Sequence, residues 1–526
     1  MNVMKKRNKI EKNYTAVGYC MCIAGFTLLS CSGDWDEHYD RDSALPVKNL
    51  MEIVDSDSHL SKFSQILKVT GYDSILTSGQ TYTVWAPMDE ALASVDMNDE
   101  EALLRLVRNH IARYSNPTST PETERIYMLN GKSMAYSGDF FNGVGLVEKN
   151  IVAQNGILHK LESQIPYKFN IMEYMSADNR FSDIHEFISS FNELKYSPDF
   201  STTYDSVFVN YNRLLEDVKY GIGAVNNEDS LYTMIIPDNN AWREAYEHIK
   251  PYFRTYDKEQ HVADSIQHTQ TCLAILGGLT FRKVVNDAAS YDSLLTVTQN
   301  VIRPVGEYFE GYDVVDASNG IIYLTTAGLN LNDTCVWNHK INVEAEDMDS
   351  RINLSSTNSY IRNTDITSLV SGISNSSYLE VSSGNVDGGV IFDVANTLAG
   401  KYDVYVDFVS PLVDGENMAN EITKVSFQLR YRNENGRTST LNNNTGVDVG
   451  GESQTGIISV KAFENVSLPV ADFYDGMWFL NEKNSASDIV ETTTLQVKTK
   501  VSSSDARKGY VRKFRVDRVR FVPVVE

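Results

Sequence analysis

The chain has 526 residues, 42% of them hydrophobic and 22% charged. That balance belongs to globular domains and excludes a disordered tether, and the length suits about three domains. The formal charge of -23 excludes nucleic acid as a partner, because such a surface repels phosphate backbones.

Residues 1–30 hold five bases, Lys5, Lys6, Arg7, Lys9 and Lys12, against one acid, Glu11. The apolar run AVGYCMCIAGFTLL follows, too short for a stable membrane anchor. A basic start, a short apolar core and small residues at its end predict a secretory signal peptide over 1–30. Leu28-Leu29-Ser30-Cys31 resembles a bacterial lipobox, in which the thiol of Cys31 takes the lipid and small Ser30 fits the peptidase cleft. Removing the leader takes the mature chain to a charge of about -27. Asp34, Asp36 and Glu37, within a tether spanning 31–45, resemble the export signal of surface lipoproteins in polysaccharide-utilisation systems. That resemblance implies the outer face of the outer membrane, with the lipid as the sole membrane attachment. Cys20 and Cys22 leave with the leader, so Cys272 and Cys335 remain, either paired or separately buried.

Next comes an internal repeat. NLMEIVDSDSHLSKF from Asn49 matches NIMEYMSADNRFSDI from Asn170, and Leu50, Ile53, Val54, Leu60, Phe63, Ile66 and Leu67 recur at helical spacing. TYTVWAPMDEALA from Thr81 matches LYTMIIPDNNAWREA from Leu231. Each is a β-prone run ended by Pro87 or Pro237, with Asp89 or Asp238 placed to cap the helix that follows. QNGILHKLESQI around Asn155 matches SNGIIYLTTAGL around Asn319, a tight turn leading into a strand.

These blocks resemble the fasciclin (FAS1) domain. The first copy carries Ala86-Pro87-Met88-Asp89-Glu90-Ala91-Leu92, a helix reaching His110, and Asn155-Gly156-Ile157-Leu158-His159. In the second, Ile236 replaces the alanine, Tyr323 replaces His159, and about 29 residues are inserted before the first strand. The resemblance implies two α+β domains, 46–168 and 169–335, the latter with an insertion near 190–225. It implies extracellular adhesion or presentation without a catalytic site, and it gives His110 and His159 structural hydrogen-bonding roles.

From residue 336 the helical periodicity gives way to short alternating runs: YLEVSS, GGVIFDVA, KYDVYVDFVS, KVSFQLRYRN, TTLQVKTKV and FRVDRVRFVPV. Regular strands with turn signals predict an all-β jelly-roll sandwich over 336–526. The opening VEAED and closing FRVDRVRFVPV resemble carbohydrate-binding modules of the family 6 and 35 type. That resemblance places Glu344, Glu346 and Asp517 where such modules hold a structural calcium, and hard oxygen ligands suit that ion. No other cofactor is expected. Sugar-stacking candidates are Trp478 and Tyr474 in ADFYDGMWFLNEKN, then Tyr360 and Tyr378. Residues 498–520 hold nine bases and two acids, read as a charged strand edge that discourages aggregation.

The chain carries no HExxH, GxSxG or Walker loop. The fold class expected is therefore multidomain: two α+β fasciclin-like domains and an all-β jelly-roll sandwich. The function expected is non-catalytic capture of a polysaccharide or oligosaccharide at the cell surface. The system resemblance implies a TonB-dependent transporter and a substrate-binding lipoprotein as partners. The alternative is an adhesion or assembly protein whose fasciclin repeats bind another protein.

Overall fold

The computed structural model describes residues 47–118, 124–197, 208–217, 221–472 and 493–524. The lipobox Cys31 and the stacking candidates Tyr474 and Trp478 lie outside them. The chain divides into two compact units, Met1–Leu129 with Met134–Ile165, and Asn130–Ser133 with Pro166–Glu526.

In the first unit, strand Tyr82–Pro87 is buried on both faces and runs parallel to Gly156–Leu161 over six residue pairs, Tyr82↔Gly156 to Pro87↔Leu161. On one face Val84, Ala86 and Leu158 meet the apolar sides of helices Leu50–Ser56, Ser61–Val69 and Glu100–Asn109. On the other, Trp85 stacks on Phe141 among Tyr136 and Leu161. The leading helix starts where it does because Asn49 and Glu52 form a capping box: each side chain accepts the other's backbone N–H at 2.9 Å.

The second repeat rebuilds the same skeleton. Strand Tyr232–Pro237 pairs in parallel with Gly320–Thr325 over six residues, Tyr232↔Gly320 to Pro237↔Thr325. Asn170 and Glu173 form the matching capping box. Asn155 Oδ1 accepts from Leu50 N at 2.9 Å while its amide donates to Leu76 O and Ser78 O. Asn319 does the same for Ile171 N, Val225 O and Asn227 O. The glycines behind these asparagines sit at φ +150° and +145°. A Cβ on Gly156 or Gly320 would lie 1.8 Å from the carbonyl of Tyr82 or Tyr232, so the turn admits glycine alone. Thr83 Oγ1 donates to Tyr114 O and accepts from Asn116 N; Thr233 Oγ1 does so with Lys283 O and Val285 N.

One expectation fails here. Asp238 caps helix Asn239–Ile249, but Asp89 does not cap the helix that follows it. Its carboxylate accepts from Lys62 N at 2.8 Å, at the start of helix Ser61–Val69. Asn239 performs that task in the second repeat, accepting from Asp183 N. The two aspartates stand two and one residues after their prolines, and this offset sends them to different helices.

The inserted stretch forms a two-stranded hairpin, Asn192–Tyr196 with Phe208–Asn212, and a short helix, Arg213–Glu216. Cys272 and Cys335 are separate free thiols, and burial pushes the Cys272 thiol up to about 12.

The described residues between 341 and 523 form two sheets around one core. The six-stranded sheet orders Thr357–Asn363, Ser377–Ser383, Lys513–Pro523, Gly400–Val409 and Ile457–Leu468, with Ile341–Glu344 also paired to Lys513–Pro523. The five-stranded sheet orders Arg351–Asn353, Gly389–Asp393, Thr494–Thr499, Ile422–Arg432 and Thr438–Gly450. Phe408, Phe514 and Phe521 from the first meet Phe392, Phe427 and Leu429 from the second, all buried. Every alternating run of this region is centred on a strand. Leu398 and Ala471 join the core of the second repeat, and Ala399 N donates to Tyr252 O at 2.8 Å. The sandwich and the second repeat are thus bonded within one unit.

Candidate functional site

The base-rich run at the end of the chain corrects its expectation first. Lys513–Pro523 is a central strand, flanked by Ser377–Ser383 and Ile341–Glu344 on one side and Gly400–Val409 on the other. It protects no edge. Strand order depends on pairings more than a hundred residues apart, which local composition does not encode.

Its bases serve the sheet's outer face instead. Phe514 and Val516 point into the core, so Lys513 and Arg515 point out. A register shift between the pairs Asp407↔Arg518 and Phe408↔Val516 leaves Asp517 as a bulge and reverses the alternation. Val519 and Phe521 then face inward, while Arg518 and Arg520 again face out.

Acids from neighbouring strands and loops neutralise each base. Arg520 holds Asp407 with two bonds, 2.6 and 2.7 Å, and Arg518 adds a third at 3.2 Å. Arg515, itself buried, meets Asp414 at 2.6 Å and Glu421 at 2.8 Å; Lys513 reaches Glu380 and Asp414. Burial would raise the Asp407 and Asp414 carboxyls, but their arginine partners hold both below the usual range.

Across this face the stacking candidates separate. Tyr378 is 3% exposed, closed into a small cluster with Val370 and Val409, and its hydroxyl donates to Asp414 at 3.0 Å. It offers no ring to a sugar. Tyr360 does: it lies on the edge strand Thr357–Asn363, 51% exposed and directly opposite Glu380. Arg362 sits 5.1 Å from its ring and donates to Glu380 at 2.9 Å. A second ring, absent from the sequence expectations, is half-buried Tyr405, with Arg520 at 4.8 Å and Lys461 at 5.6 Å. The alternation Asp403, Tyr405, Asp407 against Val404, Val406, Phe408 was the signal that marks it as outward-facing.

The three acids expected to hold calcium converge at one end of the sandwich. Ala345 N donates to Asp517 O at 3.0 Å, joining the first strand to the bulge. Ser374 N donates to Asp517 Oδ1, and Asn375 donates to Glu346 Oε1. Their other oxygens, Glu344 Oε2, Glu346 Oε2 and Asp517 Oδ2, are buried without a hydrogen-bond partner. Burial pushes the Asp517 carboxyl up to about 6, with Glu344 adding repulsion. A cleft of about 670 Å³ opens beside them, lined by Glu344, Glu346, Asp347, Asp349 and Asp393. Carboxylate oxygens without hydrogen bonds suit a hard cation by type, and Arg518 Nε stands 3.7 Å from Asp517 Oδ2. Among the described residues, no group of three or more His, Cys, Asp and Glu already stands in metal-holding array.

His110 and His159 are buried and hydrogen-bonded in the first unit. His110 Nδ1 donates to Leu106 O at 2.8 Å, and its Nε2 accepts from Ile165 N at 3.0 Å. His159 Nε2 donates to Asn116 O at 3.1 Å, the tautomers being assigned from these partners. Burial lowers each ring to about 4, so both are neutral at pH 7.

Among the described residues no helix is long and apolar enough to cross a membrane. The fasciclin-domain family model matches residues 58–166. No curated protein matches the chain. A solved FAS1 domain pair from the insect cell adhesion molecule fasciclin I is 13% identical, with 53% of this chain covering 98% of that one at a TM-score of 0.19. A xylan-binding domain from Paenibacillus barcinonensis is 11% identical, with 36% covering 95% at 0.20. The Clostridium thermocellum endo-1,4-beta-D-xylanase, solved with xylohexaose, is 13% identical, with 36% covering 28% at 0.21. Likenesses at such identities and scores establish no activity or ligand for this chain.

Proposed function

We propose that the chain is a non-catalytic surface lipoprotein, anchored through Cys31, that holds a glycan on the outer face of its sandwich for uptake by a TonB-dependent transporter. The observation that carries the glycan reading is Tyr360, an exposed ring on a sheet edge beside Arg362 and Glu380. An aromatic face stacks on the C–H face of a pyranose, and adjacent polar groups read its hydroxyls. Trp478 and Tyr474, outside the described residues, are proposed as further stacking rings. Calcium at Glu344, Glu346 and Asp517 would give the orphaned oxygens a partner and fix the first strand to the bulge.

Calorimetry of residues 32–526 against a polysaccharide panel tests the reading. Saturable binding weakened about tenfold or more by Tyr360→Ala is expected; silence across the panel overturns it. A rise in melting temperature with calcium, lost in Glu344→Gln, tests the metal. Fatty-acid labelling that disappears in Cys31→Ala tests the anchor.

A second reading, adhesion or assembly, is favoured by the inserted hairpin. Among the described residues Leu194 is 70% exposed, Phe208 56% and Tyr196, directly opposite Phe208, 50%. Apolar side chains gathered on an exposed ribbon mark an interaction surface. Loss of a co-purifying partner in Leu194→Ser/Phe208→Ser, with glycan binding absent, would favour this reading over the first.

A further inference from the structure

The second repeat holds a cavity of about 410 Å³ between the end of strand Thr280–Phe281 and the hairpin Leu294–Leu295 with Val301–Ile302. Phe281 and Leu294 are buried in its wall, while Leu295 stands half exposed at the rim. Arg282 and Lys283 line it side by side, and among the described residues neither is in an ion pair. Lys283 Nζ lies 4.0 Å from the centroid of the Tyr291 ring, which holds the ammonium against an aromatic wall. Thr233 fixes the backbone beneath: its hydroxyl donates to Lys283 O at 2.6 Å and accepts from Val285 N at 2.9 Å. The two cations are therefore set by a bonded strand end rather than by a free loop. Asp287 and Asp292, the nearest acids in sequence, are not among the lining residues.

We propose that this cavity binds a carboxylate-bearing sugar unit, a uronate of an acidic glycan. A guanidinium presents a planar fork that takes a carboxylate with two parallel bonds, and the neighbouring ammonium adds a point charge. Leu295 supplies an apolar rim for the ring's C–H face, and the volume suits one or two sugar units. Selectivity must arise by contact, because the surrounding chain, at -23, repels anions at long range. The cavity is independent of the sandwich's glycan face, since none of its residues lies there.

Calorimetry of residues 32–526 with tetragalacturonate, and with its methyl ester as the neutral match, tests it. Saturable binding of the acid is expected, weakened about tenfold by Arg282→Gln and by Lys283→Gln, and about a hundredfold by both. Arg282→Lys should restore part of the loss. Both bases are exposed, so an unchanged far-ultraviolet dichroism spectrum shows that the variants fold. Equal affinity for the ester overturns the proposal. So does the absence of binding, or binding that survives the double substitution.

Discussion

In the first repeat the carbonyl of Asn116 receives a histidine ring N–H; in the second the carbonyl of Val285 receives the hydroxyl of Tyr323 at 2.9 Å. Strand pairing makes His110 and Leu279 counterparts too, since Trp85 N donates to His110 O and Ile235 N to Leu279 O. What the repeats share are the side chains that satisfy backbone groups: Asn49 and Asn170, Thr83 and Thr233, Asn155 and Asn319. What they exchange are rings that each donate one bond to a carbonyl, or a residue whose backbone alone is used. The repeat thus survives divergence because its obligatory bonds rest on few residues.

The largest expected effect comes from the paired glycines. Gly156→Ala and Gly320→Ala each drive a Cβ against a backbone carbonyl at φ +150° and +145°. Each should cost about 4 kcal/mol or more, read by urea unfolding of the variant chains. A benign Gly320→Ala would break the equivalence of the two turns. Asn155→Ala and Asn319→Ala come next. Each leaves one buried N–H without its acceptor and takes a donor from two carbonyls, of which Val225 O alone keeps another, Met172 N at 3.3 Å. A loss of about 3 kcal/mol is expected for either, by the same measurement.

Acid should separate the repeats. A histidine that is neutral in the fold to about pH 4, but protonates near 6.5 when unfolded, makes unfolding take up a proton in that window. Stability of the first repeat is therefore full above about 6.5 and falls as pH drops toward 4, by up to about 3 kcal/mol for each of His110 and His159. The second repeat has leucine and tyrosine at these places; partial burial also lowers its His268, so it loses stability on acidification as well, but by less. Hydrogen-exchange protection of Tyr82–Pro87 should therefore decline faster on acidification than that of Tyr232–Pro237. Equal decline would sink the assignment.

Which features were legible in the sequence follows the same division. The capping boxes and the Asn-Gly turns could be read directly, because the bonds demand particular side chains at fixed short spacing. The alternating runs of the sandwich could be read because one face of each strand is core. Features set by distant segments could not. The run 498–520 looked like an edge because composition does not reveal that Gly400–Val409 and Ser377–Ser383 enclose it. Tyr378 looked free because its cover comes from Val370 and the segment around Asp414. The acids Glu344, Glu346 and Asp517 were legible as a group through a resemblance, whereas the bulge that brings Asp517 inward was not. Tyr474 and Trp478 fall outside the described residues and stay within the proposal.

The smallest effect sharpens the comparison most. Thr83→Val and Thr233→Val keep shape but remove a hydroxyl that bridges two backbone groups. Each should cost about 1–2 kcal/mol, nearly equally in the two repeats, because each loses one bond donated to and one accepted from the backbone, Thr83 giving up in addition a 3.2 Å bond from Asn116 Nδ2. Their consequences beyond stability should differ. Thr83 anchors Tyr114, an exposed residue that does not line the cavity. Thr233 anchors Lys283, whose ammonium lines the cationic cavity against Tyr291. Tetragalacturonate affinity should therefore fall several-fold in Thr233→Val and stay unchanged in Thr83→Val, measured by calorimetry on the same chains. Equal stability losses with unequal binding losses would mean that one shared backbone clamp serves the fold in the first repeat and a site in the second.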